Sequence, residues 1–262
     1  MNRSMHAAAT GMYAQQLYVD TIANNLANVN TTAYKKSKIE FQDLLYQTIK
    51  PAGSLTMEGT ETPSQLQVGC GTKPVATPKL FTQGDLTVTN NSLDLAIEGD
   101  GFFQIVRPDG MTLYTRDGAF KVSSDGRLVN SQGYLMEPDI TLPLDTQSIS
   151  ISREGIVSIL VAGSTESEEI GQIEMARFIN PSGLESLGNN LYQQTSASGD
   201  PILGTPESEG FGGVAQGYLE SSNVDVIEEM VSMIVAQRAY EINSKAIRTA
   251  DDMMSIINNL KR

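Results

Sequence analysis

Tryptophan is absent from this 262-residue chain, cysteine and histidine occur once each, and aromatic residues make up 6%. The lone Cys70 forbids an intrachain disulfide, and with His6 as the only histidine too few soft ligands remain for a zinc site. No apolar run reaches the ~18 residues of a membrane span, so no transmembrane helix is expected. Residues 1–30 have no apolar leader core, being interrupted by Gln15, Gln16, Asp20, Asn24 and Asn25, so a cleaved secretory signal is not expected either. Few aromatics, 40% hydrophobic residues and 23 glycines suit a layered or elongated, turn-rich molecule better than a sphere around one core.

Catalytic patterns are missing too. Gly69-Cys70-Gly71 and Gly99-Asp100-Gly101 do not continue into a phosphate-binding loop, and no Gly-x-Ser-x-Gly occurs. Acids are plentiful, but no spacing selects a catalytic pair. No catalytic, cofactor-binding or metal-binding residue is therefore assigned, no cofactor is expected, and an enzyme is not the reading.

The formal net charge is −13. Residues 1–50 carry five Lys/Arg against three Asp/Glu, residues 51–221 eight against 22, and residues 222–262 five against six. The acid thus sits in the middle of the chain. Such a surface repels phosphates, and nucleic acid is not an expected partner.

Both ends of the chain carry heptads. Met5, Met12, Val19 and Leu26 recur every seven residues, with Ala8, Gln15, Ile22 and Val29 three residues after each. Near the other end Val235, Ile242, Thr249 and Ile256 form one seam, and Ala239, Ala246, Met253 and Leu260 the other. These are a/d patterns, and they predict two long amphipathic helices. Ser4 is a candidate cap for the first and Ser222 or Asn223 for the second.

Between them the period becomes that of strands. Asp-Gly recurs at 100–101, 109–110, 117–118 and 125–126, with Gln132-Gly133 following and short apolar runs between. Asp-Gly favours tight hairpins, so these steps predict a β-meander. The alternating acids and terminal Glu of a calcium-binding loop are lacking. Further strands are expected at 147–152, 155–162 and 170–179. Residues 35–50 fit either a helix face or an extended connector.

The predicted class is α+β. Discontinuous terminal helices (1–34 and 222–262) pair as a coiled coil. Extended connectors cover 35–79 and 205–221, and a mainly antiparallel β domain covers 80–204. Neither helix is followed by a tight return loop, so their apolar faces are read as self-assembly surfaces: Met5, Met12, Val19, Ile22 and Leu26 on the first, and Val235, Ala239, Ile242, Ala246, Met253, Ile256 and Leu260 on the second.

Four segments carry a resemblance. Ala8–Thr48, with Ala23-Asn24-Asn25-Leu26-Ala27-Asn28 at its centre, resembles the start of bacterial flagellar basal-body rod and hook proteins. Leu93–Ile105 with Tyr114–Phe120 is similar to that family's central motif, and Glu228–Met254 to its closing helix. Rod proteins carry Gly after two threonines, where this chain has Ala33. The stretch after Tyr46-Gln47-Thr48, together with Asn190-Leu191-Tyr192 and Gln216-Gly217-Tyr218, places the chain nearest one rod member. Other rod proteins and the hook protein are near alternatives, and a monomeric β-domain binding protein is the alternative of another class. The resemblance implies a hollow helical tube of stacked copies in the flagellar basal body. It also implies contacts with proximal rod proteins, the hook protein and surrounding ring proteins, and delivery across the periplasm by the flagellar type III export apparatus.

Overall fold

The computed structural model describes residues 2–53, 63–143, 145–162 and 166–260. The chain divides into two compact units. The first holds residues 1–27, 37–78 and 225–262, and the second residues 28–36 and 79–224.

In the first unit, helix α1 (Asn2–Ala27) and helix α2 (Val226–Leu260) are the two predicted amphipathic helices. Ser4 lies inside α1 rather than at its cap. The cap of α2 is Asp225, whose Oδ1 accepts from the backbone N–H groups of Ile227 and Glu228. A carboxylate at a helix N-terminus also meets the positive end of the dipole. Four short strands complete the unit: β1 (Glu40–Asp43), β2 (Gln47–Lys50), β3 (Leu66–Val68) and β4 (Thr72–Ala76). They pair antiparallel as β1 with β4 and β2 with β3. The stretch left open between helix and extended chain is therefore extended, and it is strand-paired. Tyr18 of α1 meets Phe41 of β1 edge-to-face at 6.3 Å.

The second unit is built of strands, with a short 3-10 turn at Pro181–Gly183. Its first part runs through β5 (Leu86–Val88), β6 (Leu95–Glu98), β7 (Phe102–Val106), β8 (Thr112–Thr115), β9 (Lys121–Val122), β10 (Leu128–Val129) and β11 (Leu135–Glu137). Then come β12 (Thr146–Ile151), β13 (Ile156–Val161), β14 (Ser167–Gln172), β15 (Met175–Arg177), β16 (Glu185–Gly188) and β17 (Leu191–Gln193). The last three are β18 (Ile202–Gly204), β19 (Gly213–Gln216) and β20 (Tyr218–Glu220). Every pairing among them is antiparallel.

The meander is present but interrupted. The hairpin at Asp109-Gly110 joins β7 to β8, and those at Asp125-Gly126 and Gln132-Gly133 join β9, β10 and β11. At Asp117-Gly118 the chain crosses instead, because β9–β10–β11 folds back to seat β11 on β7. Gly118 explains the crossing. Its φ is not positive, and a Cβ there would sit 1.6 Å from the Leu95 carbonyl oxygen. A hairpin glycine is replaced by one that lets two backbones touch. The stretch 205–221, expected as connector, carries β19 and β20, which pair with β6 and β5. Val214 of β19 belongs to the main core with Leu95, Ile97, Phe103, Phe120 and Ile173. A second, aromatic cluster gathers Phe102, Tyr114, Phe178 and Tyr192.

The turn that opens the second unit is built on a strained residue. Ala33 has φ +55° and is fully buried, with its N–H donating to the Glu220 carbonyl at 2.7 Å. The positive-φ turn thus persists without glycine. Left-handed backbone costs an L-residue roughly 1 kcal/mol, which glycine avoids. Ala33→Gly is expected to stabilise the unit by about 0.5–1 kcal/mol after the lost methyl contact, a rise of a few degrees in thermal midpoint. An unchanged or lowered midpoint would show that the methyl packing outweighs the strain.

Candidate assembly faces

The two helices pack antiparallel. A Cβ on Gly11 would meet the Asn243 amide at 2.9 Å, and Asn25 Nδ2 donates to Glu229 Oε2 at 3.4 Å. A step of fourteen residues forward on α1 (11 to 25) thus matches fourteen back on α2 (243 to 229). Fourteen residues are two heptads, so the pairing keeps coiled-coil register. The same heptad step on α2 runs through Ala236 and Ala250. Ala236 and Ala250 are buried, as are Asn25 and Glu229. The positions matched in this register are therefore small or polar, beside the buried Ile22. Gly11 and the alanines let the backbones approach, while Asn25 fixes the end of the seam by a second bond from its Nδ2 to the Ser37 carbonyl.

This seam lies one residue beyond the predicted one on α2. Ala236, Asn243 and Ala250 follow Val235, Ile242 and Thr249, and a shift of one residue turns a helix position by about 100°. The predicted positions consequently point away from α1. Val235 is 60% exposed, Ile242 65% and Ile256 58%. Met253 and Ala246 are exposed, and Ala239 is half-buried. The Leu260 side chain lies outside the described residues. Val231, Val235, Ile242, Ala246, Met253 and Ile256 share one flank of α2 at helical spacing. Ile227, Met230 and Ile234 add a second exposed group near its start.

On α1 the predicted positions divide. Ile22 is 1% exposed and belongs to the interior of the unit. Met5, Met12, Val19 and Leu26 are half-buried. Val19 and Gln16 form one wall of a groove of about 470 Å³, with Gln237, Tyr240 and Glu241 opposite.

The second unit holds a buried charge cluster that nothing local in the sequence announced. Glu220, at the end of β20, accepts from Lys35 Nζ at one oxygen and from Arg116 Nε at the other, the latter at 3.1 Å. All three side chains are buried. Further bonds support the cluster: Lys35 also donates to the Thr82 carbonyl, Arg116 to the carbonyls of Gly99 and Gly101, and the Gly84 N–H to Glu220. Burial pushes the Lys35 ammonium below its ordinary pKa, and the Glu220 carboxylate opposes that shift. Among the described residues no group of His, Cys, Asp and Glu is arranged to hold a metal, and no helix is long and apolar enough to cross a membrane.

Comparison with known proteins assigns these features to a class. Three family models match in chain order: Flagella basal body rod protein over residues 5–35, Flagellar hook protein FlgE/F/G D1 domain over 96–159, and Flagellar basal body rod FlgEFG protein C-terminal over 215–260. The class is that of rod and hook proteins of the bacterial flagellum. Among the curated relatives, the flagellar basal-body rod protein FlgG of Borreliella burgdorferi is 56% identical over the full length of both chains. That of Caulobacter vibrioides is 45% identical over 99% of both, and that of Bacillus subtilis 39% over the full length of both. The chain belongs to the flagellar basal-body rod protein FlgG family, the distal rod proteins. It is a structural subunit of the flagellar basal body.

Proposed function

We propose that copies of this chain stack into a hollow helical shaft that carries torque from motor to hook, and that the flanks of its terminal helices are the contact surfaces. The observation that carries this reading is the exposed apolar flank of α2. Val235, Ile242 and Ile256 fall at heptad spacing, with Met253 three residues before the last, along a helix whose seam with α1 lies on another face. Exposed apolar surface of that extent marks an interaction site. A flank on one helix that meets a different surface on the next copy makes a heterologous contact, which propagates into an open helix rather than closing as a dimer. The half-exposed Met5, Met12, Val19 and Leu26 of α1 are the matching surface. Ile22 serves the interior of the subunit and acts only through it.

The acidic residues 51–221 then keep the shaft soluble within its surrounding ring. Proximal rod proteins and the hook protein are the axial neighbours, and the flagellar type III apparatus delivers the subunit. Purified protein imaged by electron microscopy over a rising concentration series is expected to form short rods above a threshold, as an open-ended assembly does. Particles that stay monomeric at every concentration would reject the reading.

A further inference from the structure

The chain passes between its two units four times, at 27–28, 36–37, 78–79 and 224–225. Within the second unit, the segments just inside these passages are tied to one another. The Leu80 N–H donates to the Lys36 carbonyl at 2.9 Å, Lys79 Nζ to the Lys35 carbonyl at 3.3 Å, and the Asn223 N–H to the Tyr34 carbonyl at 3.3 Å. Asn223 supplies most of the cross-links. Its Oδ1 accepts from the Lys36 N–H at 2.7 Å. Its Nδ2 donates to the Leu80 carbonyl at 2.8 Å, to the Thr82 carbonyl at 3.2 Å and to Thr82 Oγ1 at 2.9 Å. One side chain thus bonds two other passages while its own backbone bonds the first again. Asp225 caps α2, so Asn223 is not spent on that task.

We propose that Asn223 is a positioning residue for torque transmission: it holds the chain passages together at the root of the second unit, so that force arriving along one is shared by the others. This rests on the shaft reading above. The chemistry demands an amide. The passage at 36 offers a donor and the passage at 80–82 offers acceptors, and only a group with both an acceptor and a donor satisfies both. A carboxylate of the same shape would keep the bond from Lys36 with one oxygen and set the other against the carbonyls of Leu80 and Thr82.

The test is Asn223→Asp in the full-length chain, with Asn180→Asp as control; Asn180 Nδ2 makes a single bond, to the Ala197 carbonyl. In purified protein the amides of Leu80 and Asn223 are expected to exchange about tenfold faster (~1.4 kcal/mol of local opening), while amides of β7 and β13 are unchanged. In cells the variant is expected to build complete basal bodies and swim normally in dilute medium, but to lose speed in viscous medium where the control does not. Equal acceleration throughout the unit would overturn the proposal, because Asn223 would then serve stability alone. Normal swimming at high viscosity would overturn it, as would missing rods, which would make Asn223 an assembly residue. Failure of the shaft reading itself has a different signature, parent protein that stays monomeric at every concentration.

Discussion

Cells whose only copy carries Ala246→Glu are expected to build no distal rod and not to swim. Ala246 lies on the exposed flank of α2, between Ile242 and Met253 at helical spacing. In the isolated subunit a glutamate there meets water, so folding is untouched and the thermal transition of purified protein should match the parent within experimental error. In a closed contact the same carboxylate is stripped of water without a partner, which costs several kcal/mol. Every copy repeats the defect at every contact, so even about 2 kcal/mol per subunit suffices to abolish polymerisation. The pairing of unchanged subunit stability with lost assembly is the discriminating result. Ser131→Glu, in the exposed turn after β10, adds the same charge away from the flank and should leave cells motile. Normal rods with Ala246→Glu would show that this flank faces solvent in the shaft.

The helices were legible because their heptads are long, with only Gln15 and Thr249 polar on the seams, and a period survives whatever the helix packs against. Which face turns inward was not. Gly11, Ala236, Asn243 and Ala250 carry little hydropathy, so the seam they form looks like surface, while Val235 and Ile242 look like core. Hydropathy reports that a face will be buried without saying by whom. On the proposed reading the exposed apolar flank of α2 is kept for the neighbour, while glycine and alanine let the helices of one subunit approach closely.

The β unit divides along the same line. Turns at Asp109-Gly110 and Asp125-Gly126 are set by two residues each and could be read locally. Strand order could not, since the crossing at Gly118 depends on the Leu95 carbonyl, 23 positions away (118 less 95). Nor could the extra strands at 213–220, whose sequence is turn-like until β6 and β5 pair with it. The triad of Lys35, Arg116 and Glu220 draws on three distant segments, and each residue alone reads as an ordinary surface charge. The conformation of Ala33 lies between these cases. Two threonines and the asparagines before them mark a turn, while its handedness is imposed by the bond to the Glu220 carbonyl.

Glu220→Gln is expected to cost the second unit about 3–5 kcal/mol, the usual penalty for breaking a buried ion pair from one side. The substitution keeps the shape of the side chain and one acceptor oxygen. It replaces the other oxygen with an amide nitrogen that faces a donor, either Lys35 Nζ or Arg116 Nε. Two cations are then left in a site with no solvent and no counter-charge. Lys35, whose charged form burial already disfavours, is the one that can relieve the conflict by losing its proton. Deprotonation limits the loss but does not cancel it, because Arg116 stays charged at any accessible pH. For a unit of this size the cost corresponds to a fall of roughly 10 °C in thermal midpoint. The chain has no tryptophan, so near-ultraviolet circular dichroism reports its tyrosines, and Tyr114 and Tyr192 in the aromatic cluster sense this unit. The double variant Glu220→Gln with Lys35→Met removes the stranded ammonium along with its partner and is expected to recover part of the loss. A single variant that melts with the parent would mean that the network tolerates a net positive charge, and that backbone carbonyls rather than Glu220 hold Lys35 and Arg116 in place.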